Sequence, residues 1–368
     1  MFGTSVMKVA YFVPDHIIPS NRFDALIQDA LGIPVNYATR GRWAIMNILG
    51  ALPEKGVVLI PAYLCETVLE GIVAAGFTPA FYDTDPVDMN PSMQCLEERI
   101  RTVRPVAAIV ASMYGMPADL ERAELICRSQ QVFLIDDAAQ SYGCTLNHRK
   151  IGTFGDAGFF AISTGKTLAG AMGAFWWSRL ESKDCHSAKR PNCFLHRLVW
   201  KNWKENRLKA YQFSFARSTH ILSKMQTLLL ARDDMRHDTV CDFEKPLIAG
   251  LLEQYANGFY SYRERSWSLL FQSVPADSGW RVLDAVRGEG HKHKFVLIAP
   301  DREECRRAIT LLAKHGISLI PGYSLLSNDM SILPNAMAMS GRVIELPLEN
   351  NLKRMEYQAN ILHSILKE

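Results

Sequence analysis

Residues 132–140 read Val-Phe-Leu-Ile-Asp-Asp-Ala-Ala-Gln, and this stretch decides the fold. Its four apolar residues lack any polar alternation. That is the pattern of a strand buried on both faces, as in a parallel sheet covered by helices. The acidic pair Asp136–Asp137 stands where the strand stops, at the sheet edge where open α/β folds meet their ligands. One carboxylate is thereby placed to bind, while the other reading of an aspartate before two alanines is a helix N-cap. Working outward, VVLIP (57–61), TPAFYD (78–83), VAAIVA (106–111), DAGFFAI (156–162) and GAFWW (173–177) repeat the apolar run. Residues 66–75 and 118–130 have helical periodicity, and Gly76 is a C-cap candidate for the first. Strands alternating with helices predict an α/β fold with a mostly parallel sheet flanked by helices.

The chain has 368 residues, 48% hydrophobic and 21% charged, enough for two packed domains and a sizeable core. Its 41 basic and 38 acidic residues leave a charge of +3. This lacks the basic excess of a dedicated nucleic-acid binder, so no nucleic-acid partner is expected. Ordinary aromatic, glycine and proline contents exclude collagen-like, low-complexity and disordered classes. No apolar run approaches the roughly 18 residues of a membrane span. Residues 1–19 carry a short apolar stretch without a basic lead or a small-residue cleavage site, against a secretory signal. Eight scattered cysteines with no C-x-x-C spacing argue against a disulfide framework and a zinc site, and fit a reducing cytoplasm. The expectation is a cytoplasmic enzyme without a metal.

Four parts are expected: an N-terminal segment 1–35, a large α/β domain 36–178, a basic aromatic-rich helical segment 179–241, and a small α+β domain 242–368. In the last, residues 295–300, 317–322 and 343–348 read as strands. Asp301 with Glu304 makes a capping-box-like helix start, Gly316 can close that helix, and an amphipathic helix over 353–367 ends the unit. Segment 179–241 holds 13 Lys or Arg against six Asp or Glu, with Trp200, Trp203, Tyr211, Phe213 and Phe215 interleaved. It reads either as a solvated helical face or as a surface making weak contact with phosphate groups or anionic lipid.

Lys166 lies just past an apolar strand among small residues, STGKTLAGAMGAF (163–175). Low-dielectric surroundings disfavour its ammonium form, and a neutral amine is what chemistry with an aldehyde cofactor needs. The plain alternative is a lysine that snorkels to the rim. Asp136–Asp137 adds a partner: if pyridoxal phosphate sits there, one carboxylate can pair with the pyridine nitrogen. Gly41-Arg42, ahead of the helical run 44–52, offers backbone N–H groups and charge to a phosphate.

Together these pieces resemble the DegT/DnrJ/EryC1/StrS sugar aminotransferase family of fold-type-I pyridoxal-phosphate enzymes. The matching blocks are Gly41-Arg42-Trp43-Ala44-Ile45, Pro61-Ala62-Tyr63, Gly76 to Asp85 with Asn90-Pro91, and Tyr114-Gly115-Met116-Pro117-Ala118-Asp119. They continue through Asp136-Asp137-Ala138-Ala139-Gln140 with Gly143, then Gly152, Gly155-Asp156, Gly158, Phe160 and Lys166, and late Leu346-Pro347-Leu348. The resemblance is dense over 36–178 and thin over 245–360.

The resemblance implies that Lys166 is the Schiff-base lysine and proton shuttle. Asp137 would pair with the pyridine nitrogen, Gln140 would approach the phenolic oxygen, and Gly41 and Arg42 would hold the phosphate. It also implies a homodimer, an amino-acid donor, typically glutamate, and a keto-sugar acceptor, mostly nucleotide-linked, in surface polysaccharide or secondary-metabolite synthesis. Related dehydratases carry histidine in place of the lysine. The chain departs from the family at Ala161, where a phosphate-binding serine is usual and Ser163 or Thr164 can substitute. Cys65 stands where an aromatic stacks on the cofactor, leaving Tyr63 as a replacement. An acid is missing from Ala171-Met172-Gly173-Ala174, and the family's Asn-Tyr-Arg stretch has no counterpart before Pro246. Two other readings are a non-catalytic binding or regulatory protein on the same fold, and an aminotransferase for a cyclitol or other non-nucleotide ketone.

Overall fold

A computed structural model describes residues 23–163, 165–168, 173–181, 240 and 244–367. Segment 179–241 therefore falls outside the described residues except at 179–181 and 240, as do residues 1–22. Expectations for those stretches are not addressed by the fold.

The first half is α1 (Phe23–Leu31), β1 (Asn36–Ala38), α2 (Gly41–Gly50), β2 (Val57–Pro61), α3 (Glu66–Ala74), β3 (Thr78–Tyr82), α4 (Met93–Val103), β4 (Ala107–Ala111) and α5 (Leu120–Ser129). It continues through β5 (Phe133–Asp137), a short hairpin of β6 (Thr145–Leu146) and β7 (Arg149–Lys150), β8 (Ala157–Ile162) and β9 (Gly173–Ser178). Seven strands form one sheet in the order β1-β9-β8-β5-β4-β2-β3. β3, β2, β4, β5 and β8 run parallel, whereas β9 is antiparallel to both β8 and β1.

Alternation along each strand separates two cores. Leu59, Val110, Leu134 and Phe160 face α1, α4 and α5; Ile60, Ile109, Ile135 and Phe159 face α2 and α3. Both faces are covered, which explains why the strands read as continuous apolar runs. Local chemistry sets the helix ends. The Ser92 hydroxyl accepts from the Cys95 amide at 3.3 Å, and Arg104 closes α4 in the left-handed conformation. Asp119 caps α5 through the Arg122 amide at 3.3 Å. Neither α1 nor α4 stands out in the sequence reading, although Met93, Leu96 and Ile100 supply a buried stripe.

The second half contains α6 (Glu244–Ala256), α7 (Tyr262–Ser273), β10 (Arg281–Val282), β11 (Phe295–Ile298), α8 (Arg302–Lys314), β12 (Ile320–Pro321), α9 (Pro334–Met339), β13 (Val343–Leu346) and α10 (Leu352–Lys367). Its four strands make an antiparallel sheet in the order β10-β11-β13-β12. Trp267 and Leu270 of α7, Ala308 and Leu312 of α8, and Met355 and Leu362 of α10 pack over it. Asp301 caps α8 by accepting from Glu303 and Glu304 amides at 2.8 and 2.9 Å. Glu304 turns to Arg307 at 3.0 Å, so the expected reciprocal box is one-sided. The strand read over 317–322 shrinks to Ile320–Pro321, the two residues that pair with Glu345 and Ile344 of β13. Among the described residues no helix is long and apolar enough to cross a membrane.

Candidate active site

The parallel strands bring four loops to one edge: 61–65 after β2, 112–115 after β4, 137–140 after β5 and 163–167 after β8. β5 and β8 are neighbours, with Asp137 opposite Phe159. Alternation sends the two aspartates to opposite faces. The Asp136 carboxylate accepts from Gly152 and Phe154 amides at 2.6 and 3.1 Å, and its other oxygen has no partner. Burial raises its pKa to about 7. Asp137 accepts from the Ala139 amide at 2.9 Å, the tight turn that follows the strand. Burial raises its pKa too, opposed by the Ala139 amide and by Lys166. The turn after the strand is therefore capped by Asp137, while Asp136 anchors the 152–154 loop.

Lys166 lies in the connection between antiparallel β8 and β9. Its N–H donates to the Ser163 carbonyl at 3.1 Å, which places Ser163 at the start of this turn. The next residue is pinned from the second half of the chain. Thr167 Oγ1 lies 3.1 Å from His291 Nε2, and its carbonyl accepts from Arg263 at 3.2 Å. Thr167 and Arg263 are buried. Burial pulls the Lys166 amine below its usual range, with Asp137 the strongest opposing influence and Cys65 the next. Lys294 and Glu345 also act on it; these two form a buried ion pair with each other.

Gln140 is held at both ends. Its Oε1 accepts from the Tyr114 amide at 3.2 Å, and its Nε2 donates to the Tyr323 hydroxyl at 2.9 Å. Tyr63 is 1% exposed, and its hydroxyl lies 2.7 Å from that of Tyr114. The ring that reaches Gln140 is Tyr323. Sequence reasoning passed over Tyr323, Lys294, Glu345, His291 and Arg263. The alternation of polar residues in His-Lys-His-Lys (291–294) before β11 was the one local signal available.

At the start of α2 the Trp43 and Ala44 amides are taken by the Arg40 carbonyl, and no side chain caps the first turn. The Gly41 and Arg42 N–H groups thus belong to the positive end of the helix. Arg42 pairs with Glu70 on α3. Arg40 was missed in the sequence; its Nε is buried without a partner, and burial with Arg42 nearby lowers its pKa. Gly41 lies against β8, where a Cβ would meet the Phe159 ring at 3.6 Å. Of the segment after Lys166, Ala171 and Met172 are outside the described residues, as is Thr164. Among the described residues no cluster of His, Cys, Asp or Glu has the arrangement of a metal site.

The model of the DegT/DnrJ/EryC1/StrS aminotransferase family matches residues 20–176. The GDP-perosamine synthase of Escherichia coli O157:H7 is 28% identical over 173 residues, 45% of this chain and 47% of that protein. The chain spans about half the length of the curated relatives it matches. A DegT DnrJ EryC1 StrS aminotransferase from Brucella abortus superposes with a TM-score of 0.68 at 17% identity, over 97% of this chain and 92% of that one. E. coli GDP-4-keto-6-deoxy-D-mannose-3-dehydratase, solved with bound hydrated pyridoxal phosphate, gives 0.66 at 14% identity over 93% and 91%. These two solved proteins establish a shared fold across nearly the whole chain. Over residues 20–176, the chain is similar to the DegT/DnrJ/EryC1/StrS aminotransferase family.

Proposed function

We propose that the protein is a pyridoxal-phosphate aminotransferase that transfers an amino group, with glutamate as donor, to a nucleotide-linked keto sugar for surface polysaccharide or secondary-metabolite synthesis. The observation that carries this reading is the placement of Lys166 in the loop that follows β8 and of Asp137 at the end of the neighbouring strand β5, where each favours the other's charged form. The residues fit the cofactor. The orphaned Arg40 Nε and the uncapped start of α2 suit a phosphate, and Gln140 offers an amide toward a phenolic oxygen.

When bound, pyridoxal phosphate supplies an electron-accepting ring through which an amine passes from donor to ketone. Asp137 would keep a proton at the ring nitrogen. Gly41, Arg42, Arg40 and Ser163 would hold the phosphate. Lys166, weakened as a base by burial, would take a proton from the reacting carbon and return it, a role that needs an amine able to be neutral near pH 7. Thr167, held by His291 and Arg263, fixes the turn from which that amine projects. A lysine here, rather than the histidine of the dehydratases, supports amine transfer over dehydration.

The same proposal includes a homodimer in the cytoplasm and the division of the chain into parts 1–35, 36–178, 179–241 and 242–368. The test is direct. Added pyridoxal phosphate is expected to turn the protein yellow, with Lys166→Ala losing the lysine-linked absorbance. The amine-loaded wild type should then convert a member of a panel of nucleotide-linked keto sugars, and Asp137→Asn should bind cofactor but not turn over. Conversion of a cyclitol ketone alone would redirect the acceptor. A colourless protein with no absorbance gain would overturn the enzyme in favour of a binding role.

A further inference from the structure

The chain between β12 and α9 carries a ring into the middle of the candidate site. Residues 322–326 form a strap tied first to β13 and then to the residues that follow β2. The Gly322 amide donates to the Val343 carbonyl at 3.0 Å, that of Tyr323 to the Tyr63 hydroxyl at 3.2 Å, and that of Leu326 to the Ala62 carbonyl at 2.9 Å. Tyr63 and Leu325 form an antiparallel bridge between the two. Gly322 admits no side chain here, since a Cβ would fall 2.4 Å from the Tyr63 oxygen and 2.5 Å from Val343 Cβ. The strap therefore sets where the Tyr323 ring starts.

The ring itself is held on two sides, stacked on Tyr114 at 6.5 Å and 23° and edge-on to Tyr63 at 5.8 Å and 78°. Its hydroxyl lies 2.9 Å from Gln140 Nε2. Glu345, Cys65 and Asp137 all act on that hydroxyl, and the same three act on the Lys166 amine. The phenol of Tyr323 thus stands among the groups assigned to an aromatic cofactor, at the amide assigned to its phenolic oxygen. Two phenolic oxygens and two rings cannot share that volume, because protein interiors are close-packed.

We propose that Tyr323 is a gate on the cofactor site, a phenol that holds the cofactor's place at Gln140 and gives it up when pyridoxal phosphate enters. The proposal rests on the assignment of pyridoxal phosphate to this site. Opening breaks the Tyr323–Gln140 hydrogen bond and the ring contacts with Tyr114 and Tyr63, and closure restores them. The gate therefore slows entry and competes with the cofactor at equilibrium.

Stopped-flow absorbance during pyridoxal-phosphate uptake tests this with wild type, Tyr323→Phe and Tyr323→Ala, each with its circular dichroism spectrum and thermal midpoint recorded. Phenylalanine keeps the ring and removes one hydrogen bond, so association should quicken and Kd tighten by up to about tenfold. Alanine removes the ring as well and should exceed that. Uptake by the variants where wild type takes up none also supports the gate. Unchanged or slower association in folded variants overturns it. So does faster release from Tyr323→Ala at an unchanged entry rate, the signature of a ring that stacks on the cofactor. If all three proteins fail to bind and borohydride leaves Lys166 unlabelled, the cofactor assignment fails and the gate with it.

Discussion

Asp136→Asn should stabilise the protein in a pH-dependent way. The carboxyl is 0% exposed, and burial raises its pKa from 3.8 to about 7, against the opposing Phe154 and Gly152 amides. Between those values the folded protein keeps a proton that the unfolded chain has released. Stability therefore falls as pH rises through this window and levels off above it. At roughly 1.4 kcal/mol per pH unit the whole interval is worth about 4 kcal/mol, and the part between pH 5 and 8 about 3 kcal/mol. Asparagine is neutral throughout and can accept from the same two amides through its oxygen. Its NH2 goes where Oδ1 has no partner, a penalty of about 1–3 kcal/mol that is equal at both pH values and cancels in the comparison. Urea unfolding of wild type and variant at pH 5 and pH 8 gives the number. The variant should gain about 3 kcal/mol on wild type between the two conditions. A difference independent of pH, or one that moves against the variant at pH 8, would refute a protonated, desolvated Asp136.

Gly143→Ala should lower the unfolding midpoint, because φ is +87° and a Cβ would lie 1.9 Å from the Tyr255 hydroxyl. Backbone strain alone is worth about 1–3 kcal/mol, and Tyr255→Phe added to it should recover only part of the loss; full stability of Gly143→Ala would contradict this. Lys294→Met leaves the Glu345 carboxylate, 2% exposed, without its ion-pair partner. A loss of about 3–5 kcal/mol is expected by denaturant titration, largely restored when Glu345→Met is added. Asp301→Ala removes two accepted amides at the start of α8 and should cost about 1 kcal/mol by the same assay; no measurable loss would show that the cap is not used.

Much of the large sheet was readable because buried parallel strands are apolar on both faces, and 132–137 shows this plainly. The direction of β9 was not, since an apolar run such as 173–177 carries no polarity of its own; antiparallel pairing follows from the short return after β8. The division of labour between Asp136 and Asp137 follows from alternation once β5 is known to be a strand. Lys166 drew attention as a lysine among small residues just past an apolar strand, and Gln140 through the Asp136-Asp137-Ala138-Ala139-Gln140 block. Tyr323 was not, because its contact with Gln140 joins residues 183 positions apart through a strap whose sequence reads as an ordinary turn. Arg40 was hidden for another reason: whether a helix-start arginine is solvated or desolvated depends on what α3 and the sheet place around it.

Borohydride reduction of the protein with pyridoxal phosphate, followed by peptide mapping, tests the central claim most directly. One phosphopyridoxyl group per chain, on Lys166 and lost in Lys166→Ala, is the predicted result. Label spread over surface lysines, or none at all, would contradict it.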